Sequence, residues 1–125
     1  MTTSSARLRV LIVEDDEANR EVLKLLLEMG GHTVFAASTA HEALERAAAE
    51  RPEVVLLDLG LPDMDGREIS ASLRATSSPS PRIIITSGTE VDAAEARRLG
   101  ADAVLGKPFD PDHLLAVLAE ERKFA

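Results

Sequence analysis

Cysteine is absent from the chain, so disulfides and thiolate metal sites are excluded. A reducing compartment fits that absence, and the expected location is the cytoplasm. Tryptophan and tyrosine are absent too, leaving three phenylalanines. So few rings build no platform for stacked bases. Basic charge is short: 14 Lys and Arg stand against 22 Asp and Glu, a net charge of −8. Nucleic-acid phosphates are held by basic faces, so direct nucleic-acid binding is not expected. No run approaches the roughly 18 apolar residues that a membrane span requires. The opening residues 1–6 are polar and lack an apolar signal core, and they read as a disordered tail before a domain over residues 7–125.

What remains is ample for a core. With 125 residues and 45% apolar side chains, the chain reads as a single globular domain. Short apolar runs alternate with helical patterns five times. Leu8–Val13, His32–Ala36, Val54–Leu57, Arg82–Thr86 and Ala101–Gly106 read as strands. The first helix places Ala18, Val22, Leu25, Leu26 and Met29 on one face, and that face is expected to turn inward. Gly30 and Gly31 end it. The second helix opens with capping-box spacing at Thr39 and Glu42, and Ala40, Ala43, Leu44, Ala47 and Ala48 line its inner face. A third helix is expected over about Arg67–Ala75 and a fourth over Val91–Leu99. Asp110 and Pro111 look like N-cap and first position of a fifth, which buries Leu114, Leu115 and Leu118. Alternation of this kind predicts an α/β fold: a five-stranded parallel sheet, doubly wound, with helices on both faces.

In such a sheet every strand ends at one edge, and that edge is where ligands bind. Val54-Val55-Leu56-Leu57 runs into Asp58, and Pro62 and Gly66 then mark a turning loop. Leu8–Val13 runs into Glu14-Asp15-Asp16. Two like charges about 4 Å apart cost on the order of 4 kcal/mol at an effective dielectric of ~20. Asp16 or Glu17 is accounted for as a helix cap, whereas Glu14 and Asp15 stand nearer the strand. Thr86 and Lys107 fall at two further strand ends. Singly, each has an ordinary reading: a solvated strand end, a β-branched strand residue, a surface ion pair. Together they make a site. Carboxylates gathered against their own repulsion call for a cation, and oxygen-only donors suit Mg²⁺. Lys107 and the Thr86 hydroxyl would meet the oxygens of a phosphoryl group, and Asp58 is the candidate nucleophile.

The motifs Val13-Glu14-Asp15-Asp16, Asp58 through Gly66, Ile85-Thr86-Ser87 and Lys107-Pro108-Phe109 resemble those of the response-regulator receiver domains of two-component signalling. The resemblance covers about Arg7 to Arg122 and implies the flavodoxin-like receiver fold. It implies that Asp58 accepts a phosphoryl group from the phosphohistidine of a histidine kinase or histidine phosphotransfer protein. Mg²⁺ would be bound by Asp15, Asp58 and the Gly60 carbonyl, with Glu14 reaching it through water. Lys107 would hold a phosphoryl oxygen next to a cis bond to Pro108. Phosphorylation would then remodel the face of the fourth helix, fifth strand and fifth helix, read by a downstream protein target or an output domain. The domain would be a monomer or a weak phosphorylation-dependent dimer, a signalling phosphoacceptor rather than an enzyme acting on other substrates.

Three features depart from the family pattern. Val104 stands where many members carry an aromatic switch residue. The stretch from Thr86 to Lys107 is one residue shorter than is common, so Thr86 and Ser87 are both candidates for the switch hydroxyl that binds the phosphoryl group. Gly60 and Gly88 lie near positions whose side chains influence dephosphorylation, and both lack one. Two rival readings remain. A haloacid-dehalogenase-like phosphatase would need a second Asp two residues after the nucleophile, where this chain has Gly60. A pseudo-receiver would have no need of the intact set of acids, Thr86 and Lys107.

Overall fold

The computed structural model describes residues 7–76, 79–108 and 110–119. The tail expected over residues 1–6, and Phe109 of the Lys-Pro-Phe motif, lie outside the described residues. Strands and helices alternate in the order β1 (Arg9–Val13), α1 (Glu17–Met29), β2 (Thr33–Ala37), α2 (Ala40–Glu50), β3 (Val54–Asp58), α3 (Gly66–Ala75), β4 (Arg82–Ser87), α4 (Ala93–Leu99), β5 (Ala103–Gly106) and α5 (Pro111–Ala119). The five strands form one sheet in the order β2-β1-β3-β4-β5, and every pairing is parallel. This is the flavodoxin-like doubly wound sheet. Its strand order reverses between β1 and β3, which opens a crevice at their carboxyl ends.

Side chains alternate across the pleat, so each strand feeds two cores. Leu11, Val13, Val55, Leu57, Ile83 and Ile85 pack with residues of α2, α3 and α4. Val10, Ile12, Val54, Leu56, Ile84 and Leu105 pack with Leu23 and Leu27 of α1 and with Leu114, Val117 and Leu118 of α5. All five residues of β3 are buried, as the centre of a covered parallel sheet requires. The alanines of α2 let it approach the sheet closely: Ala40, Ala43 and Ala47 are buried, whereas Ala48 is exposed.

The helix ends follow local chemistry. Asp16 caps α1 by accepting from Asn19 N at 2.9 Å. Thr39 caps α2 by accepting from Glu42 N at 3.1 Å, and Glu42 reaches back to Ser38 N at 2.8 Å. Asp110 accepts from Asp112 N at 3.1 Å at the start of α5. Gly31, with φ of 94°, supplies the left-handed residue after α1.

The inward face expected for α1 is a correction. Leu23 and Leu27 are its buried residues. Ala18 is exposed, Leu26 is only half-buried, and Val22, Leu25 and Met29 are 56%, 60% and 77% exposed. The helix carries two apolar stripes roughly 150° apart at 3.6 residues per turn, and the one with Leu23 and Leu27 meets the sheet. Helix α4 is also shorter than expected, since Asp92 rather than Val91 opens it, accepting from Glu95 N at 2.8 Å.

Candidate functional site

The crevice is built from strand ends whose register brings distant residues level. Val13 pairs with Leu57, so the next residues along, Glu14 and Asp58, stand side by side at the carboxyl edge. Asp58 pairs directly with Thr86. Alternation then assigns faces. Glu14, Asp58 and Thr86 continue the phase of Ile12, Leu56 and Ile84, and Lys107 that of Leu105, on the α1–α5 side. Ser87 continues the phase of Ile85 and belongs to the opposite side.

Glu14 is buried, 2% exposed, with both carboxylate oxygens satisfied. Oε1 accepts from Lys107 Nζ at 3.0 Å and Oε2 from Asp16 N at 3.1 Å. Burial raises its pKa, and Lys107 offsets that only in part. Asp58 Oδ1 accepts from Lys107 Nζ at 3.3 Å and from Gly60 N at 3.3 Å. Its Oδ2 has no hydrogen-bond partner among the described residues. Burial works against the Lys107 ammonium, but its pairs with Glu14 and Asp58 outweigh that cost and hold its pKa above the ordinary value. The lysine is therefore a fixed positive charge at neutral pH.

Asp15 is exposed and turns into the same crevice. One carboxylate oxygen each from Glu14, Asp15 and Asp58 lie within 4.8 Å of one another. With all three ionised, Lys107 leaves two negative charges uncompensated, a balance suited to a divalent cation. An octahedral Mg²⁺ with oxygen ligands at ~2.1 Å holds opposite ligands about 4.2 Å apart. Three carboxylate oxygens gathered within 4.8 Å are of that scale, so the residues present fit Mg²⁺. A Cβ at Gly60 would stand 3.8 Å from both Asp58 oxygens, which puts the Gly60 backbone beside the carboxylate.

The two candidate hydroxyls differ. Ser87 Oγ donates to Thr89 O at 2.9 Å and accepts from Thr89 N at 3.1 Å, so it is spent within its own turn. Thr86 is 2% exposed, and its hydroxyl pairs with no group among the described residues. The peptide bond between Lys107 and Pro108 is cis. Val104 is half-buried against the core on the α2–α4 side.

Two residues that frame the site were not singled out by the sequence. Arg20, one turn into α1, donates from Nη1 to the carbonyl of Glu14 at 3.0 Å and lies 3.5 Å from that of Asp15. It pins the acidic loop from behind. Asp63 ties the β3–α3 loop to α2. An arginine in the second turn of a helix that follows an acidic loop is a weak signal for such a role, and Asp63 stood within a motif already explained as a turn.

Similarity to known proteins agrees with this geometry. The response regulator receiver domain family matches residues 10–119. Response regulator MprA of Mycobacterium ulcerans is 40% identical over 109 residues, covering 86% of this chain and 47% of that protein. The KDP operon transcriptional regulatory protein KdpE of Escherichia coli is 42% identical over 109 residues, covering 87% of this chain and 48% of that protein. The chain thus spans about half the length of these relatives. Among solved structures, chemotaxis protein CheY4 of Vibrio cholerae superposes with a TM-score of 0.81 at 30% identity, over 90% of this chain and 97% of that one. The chain belongs to the response-regulator receiver domains of two-component signalling.

As a receiver it is a signalling domain and not an enzyme of the conventional kind, and neither rival reading is favoured. No helix among the described residues is long and apolar enough to cross a membrane.

Proposed function

We propose that Asp58 is the phosphoacceptor and that the acids beside it bind Mg²⁺. The observation that carries this is the pairing of an Asp58 oxygen free of hydrogen bonds with a lysine 3.3 Å from the other oxygen. That oxygen attacks phosphorus, and the bond from phosphorus to the imidazole nitrogen of a donor phosphohistidine breaks. The imidazole leaves with the electron pair and takes up a proton, and an acyl phosphate forms on Asp58. Lys107 pairs with a phosphoryl oxygen. Thr86, whose hydroxyl is uncommitted, donates to another, and Ser87 stays in its turn with Thr89. Glu14, Asp15, Asp58 and the Gly60 carbonyl would hold Mg²⁺, directly or through water. When bound, the ion neutralises charge that develops on the transferring oxygens.

The donor is a histidine kinase or a histidine phosphotransfer protein. The exposed stripe Ala18, Val22, Leu25 and Met29 supports a docking face for it. The stripe begins two residues after the Asp16 cap, beside the acids, and runs down α1. The product would be read by a downstream target or an output domain, in the cytoplasm.

Thermal melting tests the metal. Mg²⁺ should raise the melting temperature by binding only the folded site, and Asp15→Ala should abolish most of that gain. Equal Mg²⁺-induced shifts in the two proteins would remove Asp15 from the ligand set.

A further inference from the structure

We propose that Asp63 is a positioning residue for the metal site, latching the loop that carries Gly60 onto the first turn of α2. The proposal rests on the Mg²⁺ reading above. Asp63 Oδ1 accepts from Ala40 N at 2.9 Å, and Oδ2 accepts from His41 N at 3.2 Å. Oδ2 also lies 2.8 Å from His41 Nδ1. One carboxylate thus takes the first two free N–H groups of a neighbouring helix, where the helix dipole favours negative charge. The Ala40 amide first, and the His41 side chain next, hold the Asp63 carboxyl down to about 2. It is therefore ionised throughout the range in which the domain would work.

Helix α2 has a cap of its own without Asp63, since Thr39 accepts from Glu42 N at 3.1 Å. The loop has fewer alternatives. At its start, Leu59 N donates to Thr86 O at 3.2 Å and Gly60 N to Asp58 Oδ1 at 3.3 Å. Between Gly60 and Asp65, Asp63 alone hydrogen-bonds to another element among the described residues. Asp65, the N-cap of α3, makes no side-chain capping bond. Leu61 is buried and resists withdrawal of the loop, but an apolar contact is non-directional and does not aim a carbonyl. The directional restraint three residues from Gly60 is the Asp63 carboxylate. It acts on the metal site through the backbone and touches neither ion nor phosphoryl group.

Mg²⁺ titration followed by amide chemical shifts tests this, with the wild-type domain, Asp63→Ala, Asp63→Asn and Thr39→Ala. Loss of a partner that orients a ligand typically costs 10–100-fold in metal affinity, and for a residue acting through three peptide units a weakening of about fivefold is expected in Asp63→Ala. Asp63→Asn keeps an acceptor for Ala40 N and should recover part of it. Thr39→Ala removes the α2 cap without touching the loop, so it should lower the melting temperature and leave the Mg²⁺ dissociation constant unchanged. In the wild type the Ala40 and His41 amides should shift with Mg²⁺ alongside Gly60, and in Asp63→Ala the Ala40 and His41 responses should vanish. A melting-temperature loss in Asp63→Ala with wild-type Mg²⁺ affinity would make Asp63 a helix cap only and overturn the proposal. Absence of saturable Mg²⁺ binding in the wild-type domain would overturn the metal reading itself, and this proposal with it.

Discussion

Thr86 and Ser87 are neighbours with the same functional group, and the pleat of β4 separates their roles. Thr86 shares the phase of Asp58, its register partner, and its hydroxyl has no protein partner among the described residues. Ser87 faces the other way and spends its hydroxyl on Thr89. Thr86→Ser keeps a donor in place, whereas Thr86→Ala removes it. With beryllofluoride as a phosphoryl mimic, amide shifts in α4 should persist in Thr86→Ser and Ser87→Ala and collapse in Thr86→Ala. Collapse in Ser87→Ala instead would reverse the assignment. The sequence left the two open because chain spacing alone does not reveal which side of a strand a residue occupies when the strand's last residue is uncertain.

His32 offers a residue-scale prediction away from the site. Its Nδ1 accepts from Leu8 N at 3.2 Å, which requires an unprotonated nitrogen. Burial lowers its pKa from the ordinary 6.5. The unfolded chain therefore binds the proton more readily than the folded one. The contribution to stability is complete above about pH 6.5 and is lost as the pH falls through the lowered folded value. Melting temperature measured from pH 7.5 down to 5 should fall less in His32→Gln than in the wild type. Parallel curves would contradict a half-buried histidine that stays neutral in the fold.

At the scale of the element, α1 shows how a helical pattern misleads. Its sequence contains two apolar stripes, and the longer one, Ala18-Val22-Leu25-Met29, is the natural choice for an inward face. The structure turns Leu23 and Leu27 inward instead. Intrinsic periodicity states that a helix is amphipathic, but the docking angle is set by what α5 and the sheet leave room for, and that is a tertiary fact. Leu27→Ala should cost about 2–5 kcal/mol of stability by opening a cavity. Leu25→Ala should stay within about 0.5 kcal/mol, as surface substitutions do. Denaturant unfolding of the two variants measures the difference. Leu25→Ala should also slow phosphotransfer from a protein donor while leaving labelling by acetyl phosphate unchanged. The helices with caps in their sequence, α2 at Thr39 and α5 at Asp110, were legible from their N-terminal signals because a cap is a local event.

At the scale of the molecule, the parallel sheet was legible because it follows from alternation and from runs such as Val54–Leu57 that are apolar on both faces. The candidate site was legible for the same reason: a sheet whose strands all run one way sends Glu14, Asp58, Thr86 and Lys107 to one edge regardless of the detail between them. What escaped the sequence were the tertiary fastenings. Arg20 reaches back to two loop carbonyls and Asp63 crosses to another helix, and neither contact leaves a trace in spacing. The same convergence fixes which measurement bears most directly on the role of the molecule. The intact mass of the domain after incubation with acetyl phosphate and Mg²⁺ should rise by one phosphoryl group, and the rise should disappear in Asp58→Asn, which keeps the shape of the carboxylate but is a poor nucleophile. Equal labelling of wild type and Asp58→Asn would contradict the assignment of Asp58 as the phosphoacceptor.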